Sequence, residues 1–202
     1  GDGDQVVVFK DLGLVSQVFD EQSLQALQGH LAVGHTRYST AGGVKWENSQ
    51  PIFRTTSADT DVALAHNGNL INHRQLMKVA REKGLIPMDT YPSDSEVTCA
   101  LLADGATSDT TVLQSALKLL PKLEGAFCLV FTDGHNIYAA RDPHGVRPLC
   151  LGRLDRGWVV SSETCALDIV GASFVREIDP GELVVINDSG VSTMRFAEPK
   201  RK

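Results

Sequence analysis

Ala126-Phe127-Cys128-Leu129-Val130-Phe131 is a run of six apolar residues with no polar break, closed by the turn pair Asp133-Gly134. It is too short for an ordinary helix and reads as a strand covered on both faces. Outward from it, the second half of the chain repeats the pattern. Ile137 to Ala140, Pro148 to Leu151, Trp158 to Ser161, Phe174 to Ile178, Leu183 to Ile186 and Val191 to Phe196 are short β-like runs. Between them stand Arg156-Gly157, Asp179-Pro180-Gly181 and Ser189-Gly190, residues that supply turns by their backbone chemistry. Towards the start of the chain, Val6 to Phe9, Leu31 to Gly34 and Val62 to Ala65 are further strand candidates.

Helices interrupt the first half. Asn72 is placed to cap a helix running to about Lys83, with Gly84 as its left-handed stop. Ser93-Asp94-Ser95-Glu96 is a capping-box pattern that opens a helix ending near Gly105. A third, from about Thr111 to Leu120, is stopped by Pro121. Strands, a helical middle and then many strands predict an α+β layered domain rather than an alternating βαβ one. There is no internal repeat, linker, Gly-x-Gly-x-x-Gly or phosphate-binding loop.

Composition narrows the function classes. The chain has 202 residues and a net charge of −6, spread without long runs. An acidic surface argues against a general nucleic-acid or anionic-membrane partner. No apolar run approaches the roughly 20 residues that span a bilayer. Cys99, Cys128, Cys150 and Cys165 show neither Cys-x-x-Cys nor Cys/His metal-site spacing, so no metal site is expected. They read as core thiols, in keeping with a reducing cytoplasm.

Three polar clusters follow strand candidates. In His35-Thr36-Arg37-Tyr38-Ser39-Thr40, Arg37 offers a planar fork for a carboxylate, or else pairs with a neighbouring acid. In His66-Asn67-Gly68-Asn69-Leu70, Asn67-Gly68 is either a tight hairpin turn or a pair of donors for an oxyanion. In the third cluster Asp94 is either a first-turn acid favoured by the helix dipole or the receptor for an ammonium group. Taken together, the functional alternatives describe one ligand. Its carboxylate meets Arg37, its α-ammonium meets Asp94 and its reacting carbonyl meets Asn67 and Gly68, which is glutamine attacked at its side-chain amide.

These three motifs, in this order, resemble the glutaminase domain of class II glutamine amidotransferases, which are N-terminal-nucleophile hydrolases. Asp11 to Phe19, Arg141-Asp142-Pro143-His144-Gly145-Val146-Arg147-Pro148-Leu149 and Ser162 to Asp168 are similar to the amidophosphoribosyltransferase branch of that family. The resemblance runs from about Val6 to the end. It implies a four-layer αββα sandwich in which a cysteine thiolate, activated by its own α-amino group, attacks glutamine. It also implies roles for Arg37 (substrate carboxylate), Asp94 (α-ammonium), Asn67 and Gly68 (oxyanion hole), and Tyr38 and Thr40 (shaping the clamp). Asp142, His144 and Arg147 are expected to be structural or interdomain.

The resemblance further implies a phosphoribosyltransferase domain on the same full-length chain, expected to be absent from these 202 residues, and ammonia delivered to 5-phosphoribosyl 1-diphosphate with Mg²⁺. The full-length enzyme is expected to be a homo-oligomer. Nothing in the cysteine spacing speaks for an iron–sulfur cluster. Residues 1–202 are expected to be a partial domain, without the family's first strand and helix or its nucleophilic cysteine, inactive alone and exposing apolar surface where that strand would sit. Two alternatives stand beside this: another class II amidotransferase, such as the glucosamine-phosphate-forming kind, and a nucleophile-less domain that senses glutamine or is structural.

Overall fold

A computed structural model describes residues 1–37 and 46–200. Among the described residues, nine strands form two antiparallel sheets. The larger contains β1 (Ile52–Thr55), β2 (Asp61–Leu70), β3 (Gly125–Thr132), β4 (Ile137–Arg141), β8 (Glu182–Asn187) and β9 (Gly190–Arg195), side by side in that order. The smaller places β5 (Cys150–Leu154) between β6 (Gly157–Ser161) and β7 (Ser173–Glu177).

The central run behaves as its composition requires. Side chains alternate across a strand, and here both faces are covered. Phe127, Leu129 and Phe131 of β3, Tyr138 and Ala140 of β4, and Leu183 and Val185 of β8 pack into the core beneath α3 (His73–Glu82), α4 (Asp94–Gly105) and α5 (Val112–Leu119). The intervening Cys128, Ala139, Val184 and Ile186 face Leu149 and Leu151 in a second core between the sheets. A third, small core joins Cys150 to Leu167 of α6 (Thr164–Ile169). Three cores between four layers make an αββα sandwich, the expected fold.

The helix starts are resolved in detail. Ser93 accepts from Glu96 N at 3.2 Å, but the Glu96 carboxylate turns to Arg54 at 3.3 Å, so only half of the capping box forms. Thr111 and Gln114 form the complete box at α5. Asn72 precedes α3 without capping it. Its amide donates to Lys122 O at 2.9 Å and accepts from Glu124 N at 3.1 Å, tying the helix start to the loop before β3.

The first 37 residues differ from the expectation. Val6 to Phe9 and Leu31 to Gly34 show strand-like alternation of half-buried and exposed residues, yet neither belongs to a sheet. A strand is completed only by a neighbour that takes its hydrogen bonds along a ladder. Among the described residues the second segment has a single exchange, Gly1 N to Leu31 O at 2.7 Å and Leu31 N to Gly1 O at 3.1 Å, which does not extend to the residues beyond. Two short helices, α1 (Val15–Val18) and α2 (Glu21–Ala26), lie between them, the latter closed by an Asp20–Ser23 capping box. Val7, Phe9, Leu14, Val15 and Leu24 are exposed here. No helix among the described residues is long and apolar enough to cross a membrane.

Candidate functional site

A cleft of about 1710 Å³ opens where β2, the start of α4 and the segment 32–37 meet. Arg37, Asn67, Gly68 and Asp94 all line it, so the fold brings together three clusters separated by up to 57 positions. Tyr38 and Thr40 lie outside the described residues.

The hairpin reading of Asn67-Gly68 is excluded. Both residues lie within β2, where Asn67 pairs with Cys128 and Gly68 with Phe127. Gly68 has φ of 152°, and a Cβ there would stand 2.0 Å from Ala126 O. Only glycine permits this approach of β2 to β3. β1 pairs with β2 only as far as Leu64, opposite Ile52. Beyond that, the free edge of β2 is bonded by side chains: His66 N donates to Gln50 Oε1 at 2.6 Å and Leu70 N to Asp94 Oδ2 at 3.1 Å. Alternate N–H groups of a strand point to the same edge. Gly68, midway between these two, therefore sends its N–H to the cleft, where it meets no acceptor outside the sheet among the described residues.

Asp94 stands at the first position of α4. Burial by itself raises its pKa, but His66 and the N–H groups of Leu70 and Ser95 outweigh that and hold the carboxyl at about 2. It is a fixed negative charge at any physiological pH. His66 is buried between β2 and α4, with Nδ1 at 3.2 Å from Ser95 Oγ and 3.7 Å from Asp94 Oδ1. His35 also lines the cleft, its pKa lowered by burial and then by the charges of His66 and Arg37.

Cys128 is the one cysteine on the cleft wall. Burial pushes its thiol up to about 12, and its Sγ lies 3.5 Å from the carbonyls of Arg147 and Pro148. Cys99 is likewise raised to about 12, and burial raises Cys150. Among the described residues no group of three His, Cys, Asp or Glu side chains could hold a metal ion.

Arg141 and Asp142 are scaffold. The buried Arg141 guanidinium donates to the carbonyls of Arg147 (2.8 Å), Ile178 (2.7 Å) and Gly145 (3.2 Å), and to the Glu177 carboxylate (3.1 Å). Asp142, fully buried, accepts from Phe127 N at 3.3 Å, His144 N at 2.9 Å and Val146 N at 3.2 Å. Arg147 also lines the cleft. Sequence reasoning missed Gln50 altogether; its only local signal is a polar residue before Pro51 at the start of an apolar strand.

A family profile described as "Glutamine amidotransferase domain" matches residues 35–168. Amidophosphoribosyltransferase of Mycobacterium bovis is 62% identical over 204 residues, covering all of this chain and 38% of that protein. The Bacillus subtilis amidophosphoribosyltransferase is 38% identical over 196 residues, covering 97% of this chain and 40% of that protein. The chain thus spans about two fifths of the length of these relatives. Among solved structures, glutamine phosphoribosylpyrophosphate amidotransferase from B. subtilis, complexed with ADP and GMP, superposes with a TM-score of 0.86 at 36% identity. It covers 97% of this chain and 41% of that one.

Proposed function

The chain belongs to the glutamine amidotransferase domain family, and on that premise we propose that its cleft binds glutamine for hydrolysis of the side-chain amide. Asp94 receives the α-ammonium, Arg37 the α-carboxylate, and Asn67 with the Gly68 N–H the side-chain carbonyl oxygen. The observation that carries this reading is the convergence of all four residues on one cleft, with the Gly68 N–H facing it between two filled positions of the β2 edge. Tyr38 and Thr40 shape the carboxylate clamp in the same proposal.

Attack of a thiolate on the amide carbon moves charge onto the carbonyl oxygen. The thiol's proton, held meanwhile by a general base, passes to the amide nitrogen as collapse breaks the C–N bond and releases ammonia, and water then opens the thioester to glutamate. Donors placed where the charge develops stabilise this transition state by about 3 kcal/mol each. The nucleophile is none of the four cysteines: Cys99, Cys128 and Cys150 are buried with raised pKa values, and Cys165 is exposed but absent from the cleft. A polypeptide whose only thiols are these four is expected to hydrolyse no glutamine.

The similarity to amidophosphoribosyltransferases extends the proposal to the whole protein. These residues form a glutaminase domain joined in the same protein to a phosphoribosyltransferase domain. Ammonia displaces pyrophosphate from 5-phosphoribosyl 1-diphosphate there, giving 5-phosphoribosylamine for purine synthesis. Mg²⁺ accompanies the diphosphate at that second site. A homo-oligomer in the cytoplasm completes the reading; the four free thiols suit a reducing compartment.

Calorimetric titration of glutamine into the protein expressed from its own gene tests the site. Asp94→Asn and Arg37→Lys are each expected to weaken binding about tenfold or more. Wild-type affinity in both variants, or no binding by the wild type, would overturn it.

A further inference from the structure

The cleft has two walls that arrive from different parts of the fold, β2 and the start of α4. Two hydrogen-bonded links cross the seam between them. One is direct, from Leu70 N to Asp94 Oδ2 at 3.1 Å. The other runs through Gln50, whose Oε1 accepts from His66 N at 2.6 Å while its Nε2 donates to Ser95 Oγ at 3.2 Å. Gln50 thus takes over the edge of β2 just beyond the point where β1 stops pairing. From Ser95 Oγ the chain continues to His66 Nδ1 at 3.2 Å and Asp94 Oδ1 at 3.5 Å.

Ser95 is 3% exposed and His66 4% exposed, so water cannot readily replace these partners. In a buried network of this kind, removing one member leaves the others unsatisfied and shifts them together. The two links stand on either side of Gly68 along the strand edge.

We infer that Gln50 is a positioning residue that fixes the spacing between the oxyanion-binding edge of β2 and the ammonium-binding carboxylate of α4. This rests on the glutamine reading of the cleft and deepens it. Gln50 contacts neither the α-amino group nor the reacting carbonyl in this assignment. It acts through His66 N on one wall and through Ser95 on the other, and Ser95 is the arm that reaches Asp94. Loosening that arm weakens recognition of the α-ammonium, whereas loosening both arms also displaces the donors for the carbonyl oxygen.

The test compares hydrolysis of glutamine and of glutaramate, which is glutamine without its α-amino group, by the protein expressed from its own gene. Ser95→Ala is expected to reduce the preference for glutamine over glutaramate about tenfold while leaving kcat near the wild-type value. Gln50→Met is expected to reduce the same preference and also to lower kcat about tenfold. The double variant should resemble Gln50→Met alone, because both substitutions cut one network. Unchanged preference in both single variants overturns the inference, as does an equal loss for the two substrates, which is what general loosening would produce. Should Gln50→Met fail to fold, Gln50→Glu decides the matter: it keeps the acceptor for His66 N and removes the donor to Ser95, so a reduced preference for glutamine supports the inference and an unchanged one overturns it. A wild-type protein that neither binds nor hydrolyses glutamine is a different result, overturning the site assignment and this inference with it.

Discussion

His66 to Leu70 and Arg141 to Leu149 look alike as sequence: both are polar, contain glycine and stand at the end of a strand. They even flank the same stretch of β3. Gly68 pairs with Phe127 on one side, while Asp142 takes the Phe127 N–H on the other. Their polar groups are used in opposite ways. Arg141 and Asp142 turn inward and consume the carbonyls and N–H groups of their own loop. In the β2 segment, the neighbouring N–H groups are taken by Gln50 and Asp94, while Gly68 faces a cleft. A polar motif becomes a site when the backbone's hydrogen bonds are satisfied around a donor and not at it.

The largest expected effect falls on the scaffold side. Asp142→Ala removes the buried acceptor of three N–H groups, that of Phe127 in β3 and those of His144 and Val146 in the following loop, and is expected to cost about 3–5 kcal/mol of stability. Urea unfolding measures that loss, while glutamine affinity of the folded fraction should stay at the wild-type level. An affinity loss larger than the stability loss would erase the distinction between the two segments.

A smaller effect belongs to Asp94. Its folded pKa of about 2 lies below the value near 3.9 of an unfolded chain, so its contribution is present above pH 4 and is lost as pH falls towards 2. The linked stability is about 2 kcal/mol. Acid unfolding of Asp94→Asn should lack that part of the wild-type slope, and glutamine binding should show no titration of Asp94 between pH 5 and 8. A wild-type acid limb in the variant would argue that the carboxylate is not held as the structure has it.

The smallest effect tests the cysteines. At neutral pH, iodoacetamide should modify Cys165, which is exposed, and spare Cys99, Cys128 and Cys150. Cys165→Ser should change stability by no more than about 0.5 kcal/mol and leave glutamine binding untouched. Rapid labelling of Cys128 in the folded protein, read by peptide mass, would instead make it a reactive thiol on the cleft wall.

Much of the architecture was legible because the signals are local. The apolar run of β3, the turn pair Asp133-Gly134 and the Ser93 cap each depend on residues within a few positions of one another. Leu31 to Gly34 has the same kind of local signal and forms no strand, since a ladder needs a partner that the segment itself cannot supply. Asn72 has the right type for a cap, but contacts about 50 positions away claim its side chain.

The candidate site divides in the same way. Arg37, Asn67, Gly68 and Asp94 were readable from their motifs, whereas Gln50 and the role of Ser95 were not. By itself, the sequence determined the helices α3 to α5, the strands from β2 to β9, the layered class and the residue chemistry brought to the cleft. Tertiary structure alone decided that Asn67-Gly68 is strand and not turn, that the edge of β2 beyond Leu64 is bonded by side chains on either side of Gly68, and that β2 and α4 share one seam. Local conformation follows from near neighbours and the twofold period of a strand, while that seam depends on contacts such as Gln50–Ser95, 45 positions apart, which exist only once the layers have packed.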